Sequence, residues 1–484
     1  PGRLVFGGRT GGANAFGAID DIKITTVQPT GETEPPTVPG NFKAAESGAR
    51  RVKLTWDAST ERPDPSARVS YRLEKNGQML GAFLAETTYE DRAVSPATQY
   101  TYRVLATDIL GNESAFTALV TVTTATEIDS PAFLLGQIYD GIGGTAVDGL
   151  YSDAKWPASP DRGAYFNGLS FGEPNFGNTF GENFGIAIAG VLVAPKTGQF
   201  DFFVRSDDAS QFFLNTTGTS IPVPGVDLPI AEETGCCGGF EEVGAPETTA
   251  TPIALQAGQE YGFLFVVKEG GGGDWGQVAM REVGDPTPAG QLLPIQGGFL
   301  KGRGDPVGAS VTITQQPQDQ TAAENQTVSF AVDAQTTSPY TTAVVYQWYK
   351  NNQPIYGANA KTYTTPLLKK ATDNGAKIKA LVAVPGASAF SAEATVTVTA
   401  DTIKPTITRV TGRDTFDSVT VSWSEPVEAA SAQNAANYTI AGLTVRAVQA
   451  AQAAEQAAIG AVHTQHRVNV ATVIRGLFDD KAGL

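Results

Sequence analysis

The chain has 484 residues, so it is too long for one hydrophobic core and should divide into several domains. Its 50 Asp and Glu against 34 Lys and Arg give a formal net charge of -16, which excludes nucleic acid as a partner because no basic stripe is present to replace phosphate counterions. The 53 glycines and 29 prolines, with abundant Thr and Val, favour strands and turns over helices. No apolar run reaches the roughly 18 residues that span a membrane. We therefore predict an acidic, all-β, extracellular protein built as a string of antiparallel β-sandwich domains.

The first segment, residues 1 to 28, ends in GAIDDIKITTVQP, where Ile19, Ile22 and Ile24 supply the apolar positions of a strand. It resembles the closing strand of a laminin-G or concanavalin-like jelly roll, and the resemblance implies that most of that domain is missing. We therefore expect an internal fragment of a larger protein, with any export signal outside it. A linker rich in Thr, Glu and Pro follows at about residues 29 to 38.

The next segment, residues 39 to 125, has the pattern of a complete sandwich. VPGNFKA opens it, VKLTWDAS supplies Trp56 for the core, and in SPATQYTYRVLATDILGNES the residues Tyr102 and Val104 alternate behind Tyr100. The whole length resembles a fibronectin type III domain, and the resemblance implies a tyrosine corner at Tyr100. Such domains are mostly spacers.

The most informative segment is FDFFVRSDDASQFFLN, residues 200 to 215. Phe200 and Phe202 alternate onto one face of a predicted strand, and a polar turn with Asp207 and Asp208 follows. Two adjacent carboxylates repel each other and are hard to desolvate unless a cation lies between them. A hard cation such as Ca²⁺ prefers oxygen ligands of this kind. The turn therefore either holds Ca²⁺ through both residues or is solvated.

The stretch TGQFDFFVRSDD, residues 197 to 208, resembles the core of the protective-antigen-type β-sandwich domain of bacterial toxins, adhesins and yeast flocculins. The resemblance covers about residues 131 to 300. In the sugar-binding members of that family, the paired aspartates hold Ca²⁺, which in turn binds sugar hydroxyls, whereas other members are scaffolds. For this chain it implies Ca²⁺ at Asp207 and Asp208, a cis peptide bond between them, and carbohydrate binding.

A second candidate element of this site is EGGGGDW, Glu269 to Trp275. Four glycines let the backbone approach a ligand closely. Asp274 adds a carboxylate, and Trp275 offers a face on which a sugar could stack. The alternative is a flexible turn beside a core tryptophan.

The loop TGCCGGFEE, residues 234 to 242, is a candidate third wall of the site and contains the chain's two cysteines, Cys236 and Cys237. Consecutive Cα atoms lie about 3.8 Å apart, below the roughly 4.4 Å usual for a disulfide. The sequence leaves two alternatives: a strained vicinal disulfide ring, favoured by an oxidising compartment, or two free thiols.

Residues 309 to 400 resemble an immunoglobulin-like sandwich. Trp348 in YQWYKNNQPI is the predicted core tryptophan, and Val332 and Ala380 occupy the positions that hold the two cysteines of an antibody-type domain.

Residues 401 to 484 begin like a bacterial S-layer-type Ig-like domain, with SEPV and NYTI elements. Residues 447 to 462, AVQAAQAAEQAAIGAV, depart from that pattern, because strong helix formers stand where strands are expected. The domain is expected to be incomplete.

Several short motifs in the chain do not indicate catalysis or further binding. GLSFG matches a nucleophile elbow at Ser170, but no helix-forming segment follows it, and the only histidines, His463 and His466, lie far along the chain. Those two histidines lack a third metal ligand. The integrin-type tripeptide at Arg303 to Asp305 lies in a GRGDP linker and is attributed to chance. GIGGTA at Gly141 leads into VDGLYSD, where we predict a turn and no helix.

The sequence leaves three candidate functions. The leading one is a non-catalytic, adhesive surface or secreted segment with Ca²⁺-assisted glycan binding. The second is a structural stalk, fibre or surface coat that assembles with other copies or surface proteins. The third is the accessory region of an extracellular polysaccharide-degrading enzyme. No catalytic residue is predicted, since no nucleophile has a base.

Overall fold

The computed structural model describes residues 33 to 471 except 62–67, 82, 173–179, 403, 413–417, 425–426, 428–431, 433, 440–443 and 451–464. The jelly-roll segment predicted for residues 1 to 28 lies outside the described residues, as does His463. The chain divides into two compact units, 1–124 and 125–484. Within the described residues, no helix is long and apolar enough to cross a bilayer.

The first unit contains two antiparallel sheets, β1-β2-β5 and β4-β3-β6-β7. Their strands are β1 (Gly40–Ser47), β2 (Val52–Asp57), β3 (Ser70–Lys75), β4 (Gln78–Met79), β5 (Thr88–Asp91), β6 (Gln99–Thr107) and β7 (Val120–Thr123). Alternate residues of β2 and β6 enter the core, so Trp56 and Tyr102 are both buried. The hydroxyl of Tyr100 accepts a hydrogen bond of 2.8 Å from the main-chain N–H of Ser95. This confirms the tyrosine corner predicted for Tyr100.

The second unit begins with a two-sheet sandwich. Its elements are β8 (Ile128–Pro131), β9 (Leu134–Asp140), α1 (Val147–Tyr151), β10 (Arg162–Phe166), β11 (Ser170–Phe171), β12 (Phe184–Val193), β13 (Gly198–Asp207), β14 (Ala209–Leu214), β15 (Ala231–Glu233), β16 (Ile253–Leu255), β17 (Glu260–Glu269), β18 (Trp275–Glu282) and β19 (Leu300–Gly304), with 3-10 turns at Ala289–Gln291 and Gly297–Phe299. One sheet has the order β10-β9-β12-β17-β14-β15, with β19 joining β12 to β8. The other has the order β11-β18-β13-β16.

The core of this sandwich is aromatic. Phe200, Phe202 and Val204 of β13 point inward and meet Phe212 and Phe265 from the facing sheet. This is the alternation that the sequence predicts for the strand.

The outer face of the large sheet is also covered, by α1. The VDGLYSD segment was predicted to be a turn without a helix, and that prediction is wrong, because Val147 and Leu150 are buried on this face. Gly185 of β12 makes room for the helix: a Cβ there would lie 2.6 Å from Cδ2 of Leu150. Packing against the sheet therefore stabilises a helix too short to form alone.

A third group of strands forms the next sandwich. Its elements are β20 (Ser310–Gln315), β21 (Gln320–Ala323), β22 (Ser329–Ala331), β23 (Asp333–Thr337), β24 (Val345–Lys350), β25 (Gln353–Pro354), β26 (Thr362–Thr364), α2 (Lys370–Asp373), β27 (Lys377–Val384), β28 (Ala387–Phe390) and β29 (Ala394–Thr399). Trp348 is fully buried and packs in one cluster with Val332 and Ala380. Apolar packing of Val332 and Ala380 thus replaces the disulfide bond that an antibody-type domain has at these two positions.

The GRGDP segment is not a free linker, so that part of the prediction is wrong. Arg303 lies in β19 and pairs with Asp129, and Asp305 is fully buried at the junction with the third sandwich. Asp305 accepts hydrogen bonds from the main chain of Val307 and from the hydroxyl of Tyr340. A buried aspartate is not presented to a receptor, which agrees with attributing the integrin-type tripeptide to chance.

The last described strands are β30 (Ile407–Gly412), β31 (Ser418–Trp423), β32 (Thr444–Ala450) and β33 (Gln465–Ala471), with a 3-10 turn at Ala435–Asn437. They form one antiparallel sheet in the order β30-β31-β33-β32. Residues 447 to 450 belong to β32 although they are helix formers, because pairing with β33 outweighs their intrinsic propensity.

Candidate metal centre

Three carboxylates meet at one end of the first sandwich of the second unit. Asp207 ends β13, Asp208 follows it, and Glu269 ends β17. The strand β14 that leaves Asp208 pairs antiparallel with β17, so it brings Glu269 beside the aspartates. Carboxylate oxygens of the three residues lie within 4.8 Å of one another. The peptide bond between Asp207 and Asp208 is cis, as the resemblance to the protective-antigen-type domain implied.

The two aspartates are held by main-chain donors from the glycine-rich loop 270–273. The N–H of Gly270 donates to Oδ2 of Asp208 at 3.0 Å, and the main chain of Gly273 donates to Asp207. Asp207 is 9 % exposed. The loop therefore fixes both carboxylates while leaving part of each carboxylate for another ligand.

Glu269 is the least satisfied group of the cluster. It is 1 % exposed, and neither Oε1 nor Oε2 has a hydrogen-bond partner among the described residues. A buried carboxylate without a partner is costly unless it is protonated or binds a cation. The sequence alone gave Glu269 no role, and only the pairing of β14 with β17 places it in the cluster.

The surroundings of the cluster disfavour the charged form of its carboxyl groups. Burial raises the pKa of Glu269 to about 8, and the neighbouring charges of Asp208 and Asp207 contribute to the shift. Burial and the adjacent Asp208 also raise the pKa of Asp207, while the hydrogen bond from Gly273 opposes the shift. Each shift means that the charged form is disfavoured in this environment. A divalent cation would reverse that preference.

A buried lysine lies next to the cluster but does not neutralise it by direct pairing. Nζ of Lys268 donates to the carbonyl oxygens of Gly144 at 2.5 Å and of Glu269 at 2.7 Å. Lys268 is fully buried, and burial lowers its pKa. Its ammonium therefore ties the loop 141–146 to β17. The same loop packs closely against Gly270, since a Cβ on Gly270 would lie 3.0 Å from Cγ2 of Thr145.

The glycines of the EGGGGDW loop are required by close packing. A Cβ on Gly273 would lie 2.8 Å from Oδ2 of Asp207. Gly272 has a φ of +123°, which side-chain-bearing residues rarely adopt, and its N–H donates to Oε2 of Glu182 at 3.0 Å. The glycines therefore let the loop pack directly against Asp207 and Glu182, whereas the predicted close approach to a ligand stays a prediction.

Asp274 and Trp275 do not line an exposed site, so the stacking role proposed for Trp275 is wrong. Trp275 is 4 % exposed, because it lies opposite Asp207 in the sheet with its ring 5.6 Å from the Arg205 guanidinium. Trp275 is therefore a core tryptophan, which was the alternative interpretation of this segment. Asp274 is 1 % exposed, and Oδ2 accepts a hydrogen bond from the main chain of Phe180. Asp274 therefore holds the main chain at Phe180, and its role as a sugar ligand stays a prediction.

The cysteine loop forms a wall of the site, and the cysteines form the vicinal ring. The S–S distance between Cys236 and Cys237 is 2.00 Å, and both residues are exposed. The N–H of Cys237 donates to the carbonyl oxygen of Ser206 at 2.8 Å, and its Sγ lies 3.3 Å from Oδ1 of Asp207. Because an oxidised sulfur has no proton to donate and is a poor ligand for a hard cation, this contact makes the ring a wall and not a metal ligand.

Ser170 lacks the surroundings of a nucleophile. It lies in β11, and its hydroxyl accepts a hydrogen bond of 3.0 Å from Nε2 of Gln277. His466 lies in β33, in a different sheet of the described residues.

The chain matches no protein-family model. It is similar to the alpha-amylase of Niallia circulans, with 40 % identity over 102 residues, covering 21 % of this chain and 8 % of the relative. It is also similar to chitinase A1 of Niallia circulans, at 33 % over 114 residues, covering 24 % and 16 %. For exoglucanase B of Cellulomonas fimi the identity is 28 % over 142 residues, covering 29 % and 13 %. The chain thus spans less than a fifth of each of these curated relatives.

Similarities to solved structures are partial. The PA14 domain of the MpAFP antifreeze protein is 14 % identical, with a TM-score of 0.26, covering 37 % of this chain and 94 % of that one. A Candida glabrata epithelial adhesin A domain, solved in complex with beta-lactose, is 10 % identical with a TM-score of 0.25, covering 36 % and 88 %. A human fibronectin type III domain is 21 % identical with a TM-score of 0.17, covering 20 % and 94 %.

Proposed function

We propose that residues 128–304 form a non-catalytic glycan-binding domain of an extracellular protein, and that Ca²⁺ assists the binding. The observation that carries the proposal is Glu269, a buried carboxylate whose two oxygens have no partner among the described residues and which lies beside Asp207 and Asp208. Oxygen donors gathered at one point and unsatisfied by protein donors are what a hard cation requires.

The residues that would hold the ion are Asp207, Asp208 and Glu269. When bound, Ca²⁺ supplies coordination positions that sugar hydroxyl oxygens can fill, since it accepts six to eight oxygen ligands. The chain itself fixes the aspartates through Gly270 and Gly273, so the ligands are held in place before an ion binds.

We place the sugar against the disulfide ring, because the buried Trp275 has no exposed face on which a sugar could stack. Cys236 and Cys237 are exposed, and the ring lies against Asp207. Two sulfurs present a compact apolar face without a polar group that would need water. Such a face suits the C–H side of a pyranose whose hydroxyls point toward the ion.

The relatives support an extracellular and polysaccharide-related setting. Their names are those of an amylase, a chitinase and an exoglucanase, and the matched regions are small fractions of each. We infer that this chain serves as an accessory, non-catalytic region of an extracellular polysaccharide-degrading enzyme, in which the flanking sandwiches act as spacers.

The test is calcium-dependent glycan binding by the full chain. We expect binding on a glycan array at millimolar Ca²⁺, loss of binding with chelator, and loss in Asp208→Asn. Calorimetric titration with Ca²⁺ should give one site in the native chain and none in Asp208→Asn. The matched control, Asp129→Asn, removes an exposed aspartate of the same domain and should bind both ligands normally. Glycan binding that survives chelator, or an absent calcium site, would contradict the proposal.

A further inference from the structure

We propose that the glycan carries an anionic group, a carboxylate or a sulfate ester, and that Arg205 receives it. The proposal rests on the function proposed above and specifies the class of glycan. Arg205 lies on β13 two residues before Asp207 and on the same face of the strand. A rise of about 3.3 Å per residue separates the two Cα atoms by about 6.6 Å, which is within the span of one sugar unit and its substituent.

The Arg205 guanidinium lies close to two aromatic rings. Its Cζ lies 4.5 Å from the ring centroid of Phe240 and 5.6 Å from that of Trp275. Phe240 and Cys237 belong to the same loop, so one loop covers Arg205 with its ring and Asp207 with its disulfide. Contact with two rings restricts the guanidinium without consuming its N–H donors.

Arg205 differs from the other described arginines of this sandwich in having no carboxylate partner among the described residues. Arg162, Arg281 and Arg303 each form an ion pair with an acidic residue. In the described part of the chain, Arg205 makes one side-chain hydrogen bond, from Nε to Oε1 of Gln277 at 2.7 Å. Its two terminal amino groups are neither paired nor among the buried unsatisfied atoms.

The acidic residue closest along the strand does not compensate Arg205. Asp207 accepts from the main chain of Gly273 and contacts Cys237. In a chain with a net charge of -16, Arg205 is partly exposed and has no acidic partner among the described residues, so its guanidinium can pair with an anionic ligand. A fixed guanidinium fork is the group that binds a planar carboxylate, or two sulfate oxygens, through two parallel hydrogen bonds.

The experiment compares sugars that differ only in the substituent on C6. The full chain, saturated with Ca²⁺, is titrated with methyl glucoside, galactoside and mannoside, with the corresponding uronates, and with the corresponding 6-sulfates. We expect the uronate or the sulfate of the recognised sugar to bind about tenfold or more tighter than its neutral form, the effect of one charge-assisted contact. Whether the uronates or the 6-sulfates bind more tightly identifies which anion is recognised. The preference should weaken as salt rises.

Variants separate charge recognition from loop packing. Arg205→Gln should abolish the preference and leave binding of the neutral sugar within about twofold, and Arg205→Lys should retain part of the preference. Arg303→Gln is the matched control and should behave as the native chain. The calcium-induced rise in melting temperature verifies that each variant is folded. Equal binding of all three forms, or a preference that survives Arg205→Gln, would overturn the proposal while leaving calcium-dependent binding intact. The absence of any calcium-dependent sugar binding would overturn both proposals.

Discussion

Lys268 and Glu269 are consecutive buried residues at the end of β17, and they do not neutralise each other through their side chains. The ammonium of Lys268 donates to the carbonyl oxygens of Gly144 and of Glu269, while the Glu269 carboxylate has no hydrogen-bond partner among the described residues. Alternation along the strand directs the two side chains to opposite faces. The buried lysine thus holds a loop, while the neighbouring carboxyl group has no hydrogen-bond partner among the described residues.

Glu269→Gln should have opposite effects with and without calcium. In chelator the variant should be more stable than the native chain by about 1 to 3 kcal/mol, because a neutral amide costs less to bury than an unpaired carboxylate. With millimolar Ca²⁺ it should be less stable than the native chain, since a ligand bound only by the folded state no longer stabilises it fully. Urea unfolding in both buffers measures this.

The control for that comparison is Glu393→Gln, which alters an exposed glutamate paired with Lys379 in the third sandwich. Its stability should change by no more than about 0.5 kcal/mol in either buffer. Calcium stabilisation of Glu269→Gln equal to that of the native chain would show that Glu269 is not a ligand.

Lys268→Met should lower the free energy of unfolding by about 1 to 3 kcal/mol in chelator, since the substitution leaves the Gly144 carbonyl oxygen without its donor. It also removes a positive charge beside the cluster, so calcium should stabilise this variant by more than it stabilises the native chain. Thermal unfolding across a calcium series measures both effects. A calcium response smaller than that of the native chain would contradict the placement of the ion next to Lys268.

Gly273→Ala should weaken calcium binding at least tenfold. The added Cβ would lie 2.8 Å from Oδ2 of Asp207, so either the loop or the carboxylate must move. Gly239→Ala is the matched control, because no described atom lies within 4 Å of the position its Cβ would take and its φ is not in the left-handed region. Calorimetric titration of both variants checks the prediction. Equal calcium affinities would indicate that the loop geometry does not affect the ion.

Replacing both Cys236 and Cys237 with serine should reduce glycan affinity about tenfold while changing calcium affinity by less than about threefold. The disulfide ring contacts Asp207 but supplies no ligand atom, so the ion should be retained while the apolar surface is lost. Parallel titrations with Ca²⁺ and with the recognised glycan separate the two effects. A large loss of calcium affinity would mean that the ring holds the aspartates in place.

The sequence predicted well those features that depend on short-range patterns. The pair of adjacent aspartates is a short-range pattern of this kind, whereas the cis peptide bond between them and the tyrosine corner at Tyr100 were implied by the family resemblances, which rest on motifs of about twelve to twenty residues. Alternation in β13 likewise predicted which residues enter the core.

The features that the sequence did not predict depend on strand pairing. Glu269 joins the cluster only because β14 pairs with β17, and Trp275 becomes a core residue only because β18 pairs with β13 opposite Asp207. The helix α1 forms because Gly185, 35 positions after Leu150, leaves space for it. A local sequence pattern does not show which distant strands pair or which distant residues pack together.

The junction around buried Asp305 provides the last prediction. Gly386 has a φ of +84°, and a Cβ there would lie 1.8 Å from the Asp305 carbonyl oxygen. Gly386→Ala should therefore destabilise the second unit by several kcal/mol, because a backbone clash at a buried junction adds to the strain of a left-handed alanine. Gly375→Ala is the matched control: its φ is +83°, no described atom lies within 4 Å of the added Cβ, and only the conformational cost of about 1 kcal/mol applies. Urea unfolding of both variants gives the difference. If Gly386→Ala costs no more than Gly375→Ala, the two sandwiches do not pack as closely at Asp305 as the structure shows.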